Sequence, residues 1–300
     1  MATLLTGEAV LAEVDTLQAR RRQARRRRRG RFFVVRVVLA VLITLVMFFP
    51  LYWMLVTAFG NRADIYAPGL HLWPQHPTVD NFVTPITTYP VLRWLWNSTL
   101  ITVLVTVITV TLNLLAGYAF AKLPFRGRNA VFLVVLSTMM VPVQAVMVPL
   151  FKESVGLHLY GGIWAVVLPE SAAAFGIFLA RQFFLAIPDE LLEAARVDGA
   201  SQWRAFRSIV LPLSKPLVAV LVLLTFMSEW NAFAWPLVAL FSNQDLFTLP
   251  LGLNTTMKGQ YVSNYGAIMA VSLTSIVPMI VLFLAFQRYF VQGLARSGIR

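Results

Sequence analysis

Ile187-Pro-Asp-Glu-Leu-Leu-Glu-Ala-Ala-Arg-Val-Asp-Gly-Ala-Ser-Gln-Trp-Arg-Ala-Phe-Arg-Ser-Ile-Val-Leu-Pro-Leu-Ser-Lys-Pro216 is a polar, highly charged island in a strongly apolar chain. Its local chemistry reads as two short helices and a turn. Pro188 suits a first helical position, where its missing N–H has no partner to lose. Asp189 and Glu190 then sit in the first turn, favoured by the helix dipole. Asp198-Gly199 is a breaker pair, because Gly199 is free to take positive φ and end the helix. Ser201 can cap a second helix, which Leu211-Pro212 is expected to stop. Leu191, Leu192 and Ala195 share one face of the first helix, with Glu193 and Arg196 off it. Such a helix rests on something and shows its other side to a partner.

Around the island the chain is a membrane protein. Of its 300 residues, 58% are hydrophobic and 13% charged, and the mean hydropathy is +0.72. Apolar runs longer than about 18 residues argue for membrane helices. Six are expected: Phe32 to Phe59, Trp94 to Ala121, Val131 to Phe151, Ile163 to Phe184, Leu217 to Phe241 and Ala267 to Phe290. The runs are continuous rather than alternating, so helices are preferred over a barrel. The first is longer than a signal-peptide core, ends in aromatics and has no small-x-small cleavage site, so it reads as a retained span. The expected fold is an all-α membrane protein with six transmembrane helices, divided into residues 1–31, an arginine-rich segment, and residues 32–300, the six-span domain.

Basic residues orient it. The run Arg20-Arg-Arg-Gln-Ala-Arg-Arg-Arg-Arg-Arg-Gly-Arg31 precedes the first span and supplies most of the net charge of +12. Directly before a span it marks the cytoplasmic side and can hold anionic headgroups; a nucleic-acid role is disfavoured. The link with Lys122, Arg126 and Arg128, the island itself, and the tail with Arg288, Arg296 and Arg300 fall on the same side. The outer loops hold few cations: Arg62, Lys152 and Lys258. The island and both termini are therefore expected in the cytoplasm.

Glu193-Ala194-Ala195, Gly199 and Ile209-Val210-Leu211-Pro212 match every fixed position of E-A-A-x-x-x-G-x(9)-I-x-L-P. This resembles the EAA signature of ABC-importer permeases. Further stretches resemble the carbohydrate permeases of the maltose-transporter type, closest to the shorter, six-span partner: Phe49-Pro-Leu-Tyr-Trp-Met54, Asn97-Ser98, Met140-Val-Pro142, Phe175-Gly-Ile-Phe-Leu-Ala-Arg-Gln-Phe-Phe184, Trp230-Asn231 and Gln287-Arg-Tyr-Phe-Val-Gln-Gly-Leu294. The likeness runs from about Phe32 to the C-terminus; the first thirty or so residues depart from it. The resemblance implies that the island docks into an ATPase subunit and passes its motion to the membrane helices. Glu193 would touch the ATPase, Asp198 and Gly199 would set the turn, Ala194 and Ala195 would allow close approach, and Leu211-Pro212 would close the motif. It also implies a second homologous permease, two ATPase subunits and an extracytoplasmic sugar-binding protein that meets the outer loops, Gly60 to Leu92 and Ser242 to Tyr265.

The chain contains no Gly-Lys-Ser or Gly-Lys-Thr, so no phosphate-binding loop of that type. ATP and Mg are expected on partner subunits, with no cofactor on this chain. There is no cysteine, and His71, His76 and His158 form no HxxxH or HExxH pair, so no metal site is expected. No nucleophile–base–orienter constellation suggests an enzyme. Polar groups inside spans are costly and mark either a pathway or interhelical hydrogen bonds: Asn97, Asn113, Gln144, Glu170, Glu229, Trp230 and Asn231. Hydroxyl partners beside an aromatic face, with no full positive charge, suit a sugar. The prolines Pro142, Pro149, Pro169, Pro236 and Pro278 are expected to bend or break their spans.

The sequence therefore reads as the permease subunit of an ATP-driven importer, moving a sugar or related polyol by alternating access across a prokaryotic cytoplasmic membrane. The alternative is a stand-alone proton-coupled transporter using Glu170 and Glu229, which leaves the EAA match unexplained. A membrane anchor acting through the arginine run is a third reading; it makes function depend on residues 1–30.

Overall fold

The computed structural model describes residues 33–69, 71–257 and 264–297, with side chains as far as Arg288. The arginine run, Lys258, Gln260, Tyr261 and Arg300 lie outside the described residues. The described chain is helical throughout, apart from one isolated bridge between Gly60 and Pro77. Helix α1, Phe33–Phe59, is an unbroken apolar helix. A boundary between two structural units falls in its last turn, between Val56 and Thr57.

The second unit begins with two short helices, α2 (Arg62–Tyr66) and α3 (Asp80–Thr88). Asn61 Oδ1 accepts from the Asp64 N–H and caps α2. Asn81 on α3 donates to the Ala58 and Gly60 carbonyls at 3.1 and 2.7 Å. Helix α4, Val91–Lys122, is the longest uninterrupted helix of known side chains, at 32 residues. It extends the expected second span by three residues at its start and one at its end. At about 1.5 Å per residue it is more than long enough to cross a bilayer.

The third span departs from expectation. Instead of one helix over 131–151, α5 (Arg128–Ser137) and α6 (Val143–Gly156) meet at 101°. A 3-10 turn, Thr138–Met140, ends the first piece. Pro142 disfavours helix for Val141, which sits at φ −88°, ψ 117°. The fourth span is also two helices, α7 (Ile163–Glu170) and α8 (Ala174–Leu185), bent by 41°. Pro169 removes a donor from the last turn of α7, and Ser171 Oγ donates back to the Val167 carbonyl at 2.6 Å.

Four short helical pieces of the polar island follow: α9 (Asp189–Val197), α10 (Gln202–Ala205), a π turn (Phe206–Val210) and α11 (Leu211–Leu213). The fifth span, expected unbroken to Phe241, is α12 (Lys215–Trp230) and α13 (Ala234–Leu240) with a break at 231–233. Pro236 lies just past it, with no N–H to bond the Ala232 carbonyl four residues earlier and a ring that crowds that carbonyl. Asn231 Nδ2 bonds the Met227 carbonyl at 2.8 Å and competes with the helix ladder. A short α14 (Leu249–Leu251) lies in the second outer loop, and α15 (Tyr265–Ser297) runs unbroken past Pro278. Among the described residues, three helices are long and apolar enough to cross a membrane, or up to six if α5 with α6, α7 with α8, and the α10–α11 segment with α12 each form one span.

Helix α4 packs against α7, α8 and α12. The approach to α8 is close because each helix offers a glycine. A Cβ on Gly117 would stand 2.5 Å from Ala180 Cβ and 3.0 Å from the Arg181 amide nitrogen; one on Gly176 would stand 1.9 Å from Asn113 Nδ2. Small residues four apart on facing helices are how apolar helices gain packing contact in lipid.

Two apolar clusters divide the second unit. One joins Trp94, Ile101 and Val105 in the first half of α4 to Ala165, Val166 and Val167, Trp235 and Leu249. The other joins Val110, Leu114 and Tyr118 in the second half of α4 to Ala180, Phe184, Leu192, Phe206 and Leu221. Between them in sequence lie Thr106 and Thr109 on α4, the α7–α8 break, and the α12–α13 break. A Gly176→Ala substitution drives a methyl into Asn113 and is expected to destabilise by about 1–3 kcal/mol, the usual cost of overpacking. Gly156→Ala meets nothing within 4 Å and is expected to leave the midpoint unchanged. Thermal melts of the detergent-solubilised proteins, followed by size-exclusion fluorescence, check the contrast.

Candidate coupling loop and solute path

The island folds as a two-helix wedge. Pro188 is the residue before α9 rather than its first residue, with ψ 135°. Leu192 and Ala195 are buried against Ala205, Phe206 and Val210. Leu191, expected on that buried face, is 43% exposed. Glu193, Ala194, Arg196 and Asp198 are exposed on the other side. Ala195 is thus small for the benefit of its own loop: the Ala200 N–H closes back on its carbonyl at 2.9 Å. Ala194 is the alanine that faces outward.

The turn forms as read from the residues. Gly199 takes φ +78°, and the Asp198 N–H bonds the Ala194 carbonyl. Ser201 Oγ accepts from the Arg204 N–H at 3.2 Å and caps α10. The stop differs. Leu211-Pro212 does not end the second helix, which widens into the π turn and continues to Leu213. Pro212 falls in the first turn of α11, where a missing N–H is tolerated. Ser214 Oγ then donates to the Val210 carbonyl, and α12 leaves at 78°. The most exposed large apolar side chains of the wedge are Val197 at 88% and Trp203 at 60%. Neither stood out in the sequence, where each is one apolar residue among polar ones.

The C-terminal end of α4 holds this wedge. Tyr118 packs on Phe206 with ring centres 4.9 Å apart, and its hydroxyl donates to Gln202 Oε1 at 3.2 Å. Lys122 Nζ donates to the Ile187 carbonyl and to Asp189 Oδ1, both at 2.6 Å. Arg181 Nε bonds the Phe120 carbonyl, and its guanidinium lies 4.2 Å over the Phe132 ring. In the sequence Lys122 is indistinguishable from any cation flanking a span.

The intramembrane polar residues separate into two groups. Asn97, Trp230 and Asn231 are engaged in structure. Asn97 Nδ2 donates to the Asp245 and Phe247 carbonyls, and Ser98 Oγ accepts from the Leu249 N–H. With Arg93 paired to Asp245, they fasten the second outer loop to the start of α4. Trp230 Nε1 donates to Ser275 and stacks on Phe226. Glu170, at the end of α7, and Glu229, near the end of α12, lie close enough for their carboxyls to interact, each beside the break that follows its helix. Glu229 Oε2, Thr106 Oγ1, Thr109 Oγ1 and both amide atoms of Asn113 are buried with no hydrogen-bond partner in the structure. Gln144 is exposed in the first turn of α6. No cluster of three potential metal ligands occurs among the described residues.

A bundle of apolar, interrupted helices with a polar wedge between two of them is the form of a transport permease. Residues 113–296 match the family described as binding-protein-dependent transport system inner membrane component. The chain belongs to that family: it is a multi-pass permease subunit of an ABC importer, a transport component rather than an enzyme. It is 40% identical over 256 residues to the arabinooligosaccharides transport system permease protein AraQ of Halalkalibacterium halodurans, covering 84% of this chain and 91% of that one. It is 35% identical over 259 residues to the sn-glycerol-3-phosphate transport system permease protein UgpE of Escherichia coli O1:K1, covering 84% and 92%. A chain of a bacterial ABC transporter involved in the import of the acidic polysaccharide alginate superposes with a TM-score of 0.77 at 25% identity, covering 86% and 96%.

Two outcomes are expected of the wedge. Gly199→Val forces a β-branched residue into left-handed backbone at a cost of roughly 1–2 kcal/mol, while Gly199→Asn costs less; amide exchange over 189–205 is expected to quicken in the first and little in the second. Lys122, by hydrogen bond and then by charge, holds the Asp189 carboxyl below its ordinary value. A depressed carboxylate supports the folded loop above its unfolded pKa and loses that support as pH falls through the lowered value. Protection of α9 is therefore expected to be unchanged from pH 7 to pH 5 and to fall only below about 3.9.

Proposed function

We propose that this chain is one of two homologous permeases that carry a sugar or related polyol-containing solute through a prokaryotic cytoplasmic membrane. It crosses the bilayer six times with both termini in the cytoplasm; residues 1–31 form a basic cytoplasmic segment and residues 32–300 the permease domain. Of two ATPase subunits, which bind ATP and Mg, one docks on the wedge at Glu193, Ala194, Val197 and Trp203. An extracytoplasmic sugar-binding protein meets the outer loops. Closure of the ATPase pair moves the wedge, and α8 and α12, joined to it by the chain, turn the cavity outward.

The observation that carries this reading is the wedge: α9 buries Leu192 and Ala195 in its own loop and leaves Glu193, Ala194 and Val197 to a partner. The solute path is proposed at the level where α7–α8 and α12–α13 are both interrupted, since broken membrane helices line such sites in many transporters. Glu170 and Glu229 sit at those interruptions, Thr106, Thr109 and Asn113 add unspent hydrogen-bonding capacity, and Gln144 borders the α5–α6 break. Paired carboxyls offer hydrogen bonds to hydroxyl groups, which suits a sugar or polyol. Asn97, Trp230 and Asn231 act there by holding the walls.

Glu193→Lys reverses the charge on the face proposed for the ATPase. It is expected to cut uptake by roughly tenfold or more, equivalent to about 1.4 kcal/mol, while membrane insertion stays normal. Uptake and ATPase co-purification, measured together, check this; wild-type uptake with a full complement of ATPase would remove Glu193 from the interface. Purified chain moving solute in liposomes with no ATPase would favour the proton-coupled alternative instead.

A further inference from the structure

We infer that Lys122 is a positioning residue for transport, tying the C-terminal end of α4 to the first turn of the wedge so that α4 moves with it. The covalent chain joins the wedge only to α8 and α12. Lys122 adds a third connection. Its side chain is 4% exposed, while that of Asp189 is 73% exposed. An ammonium so enclosed must spend its donors on protein, and it does so on two points of the wedge, the Ile187 carbonyl before α9 and the Asp189 carboxylate at its start. The ion pair is charge-assisted and short. Tyr118, one turn earlier on α4, grips the other half of the wedge through Gln202 and Phe206. Both helices of the wedge are therefore held by one helix that neither adjoins in sequence.

The far end of that helix is held as well. Asn97 and Ser98 fasten the outer loop through the Asp245 and Phe247 carbonyls and the Leu249 amide. Helix α4 is unbroken over its 32 residues, whereas α7–α8 and α12–α13 are interrupted midway. It is the one among these three that can carry an axial or tilting movement across the bilayer without a joint. Without the Lys122 bond, the ATPases can still move the wedge, but the movement reaches α4 only through side-chain packing.

The inference rests on the wedge being the ATPase contact, and the test separates the two. The full complex, with both permeases, ATPases and binding protein, is reconstituted in liposomes, and ATP hydrolysed per solute imported is measured together with ATPase co-purification. Lys122→Met is expected to assemble and hydrolyse ATP, with the ATP-to-solute ratio raised about fivefold or more; such mutations commonly shift coupling by 0.5–2 kcal/mol. Asp189→Asn keeps the Ile187 bond and is expected to raise the ratio by a smaller factor. A purely structural role lowers hydrolysis and uptake in parallel. A Lys122→Met ratio within about twofold of wild type overturns the inference. So does an unchanged Asp189→Asn ratio where Lys122→Met fails to assemble. If the wild-type wedge binds no ATPase, the coupling reading itself fails.

Discussion

Two glycines set the geometry on which the rest of the structure depends. Gly117 on α4 and Gly176 on α8 each leave room for the other helix, at distances no Cβ could share with Ala180 or Asn113. In lipid, apolar side chains gain nothing from leaving water, so helices associate through close packing and internal hydrogen bonds. Small residues at the crossing are what let α4 serve as an axis for α8 and, beside it, α7 and α12.

That axis joins two ends with different tasks. At the N-terminal end Arg93, Asn97 and Ser98 bind a loop through its backbone and one carboxylate. At the C-terminal end Tyr118 and Lys122 bind the wedge in the same manner. Between them, the apolar clusters on α4 give way to Thr106 and Thr109, at the place in each neighbouring pair where the helix stops and restarts. Rigid ends and an interrupted middle suit a transporter, which must keep its docking surfaces intact while its walls rearrange.

Much of this was legible in the residues. The wedge was readable because its signals are local: Gly199 for left-handed backbone, Ser201 for a cap, acidic residues in a first turn. Glu170 and Glu229 stood out because charge in an apolar run is rare. The breaks were only half legible. Pro142 and Pro169 announced two of them and Pro236 lies just past the third, but Pro149 and Pro278 lie inside the continuous α6 and α15. Proline marks where a helix is weakened; whether it breaks depends on what neighbouring groups offer the freed backbone.

The sequence by itself determined the class of fold, the number of apolar runs and the motif that marks an importer permease. These depend on composition, length and short-range spacing, and all three survive in one dimension. Only the tertiary structure decided which polar residues are free to act. Asn97 and Trp230 looked like pathway residues and are spent on holding a loop and a neighbouring helix, while Lys122 looked like a topological marker and proves to be bonded to the wedge. A side chain's partners at sequence separations of 45 to 148 are set by helix packing, and no local pattern encodes them.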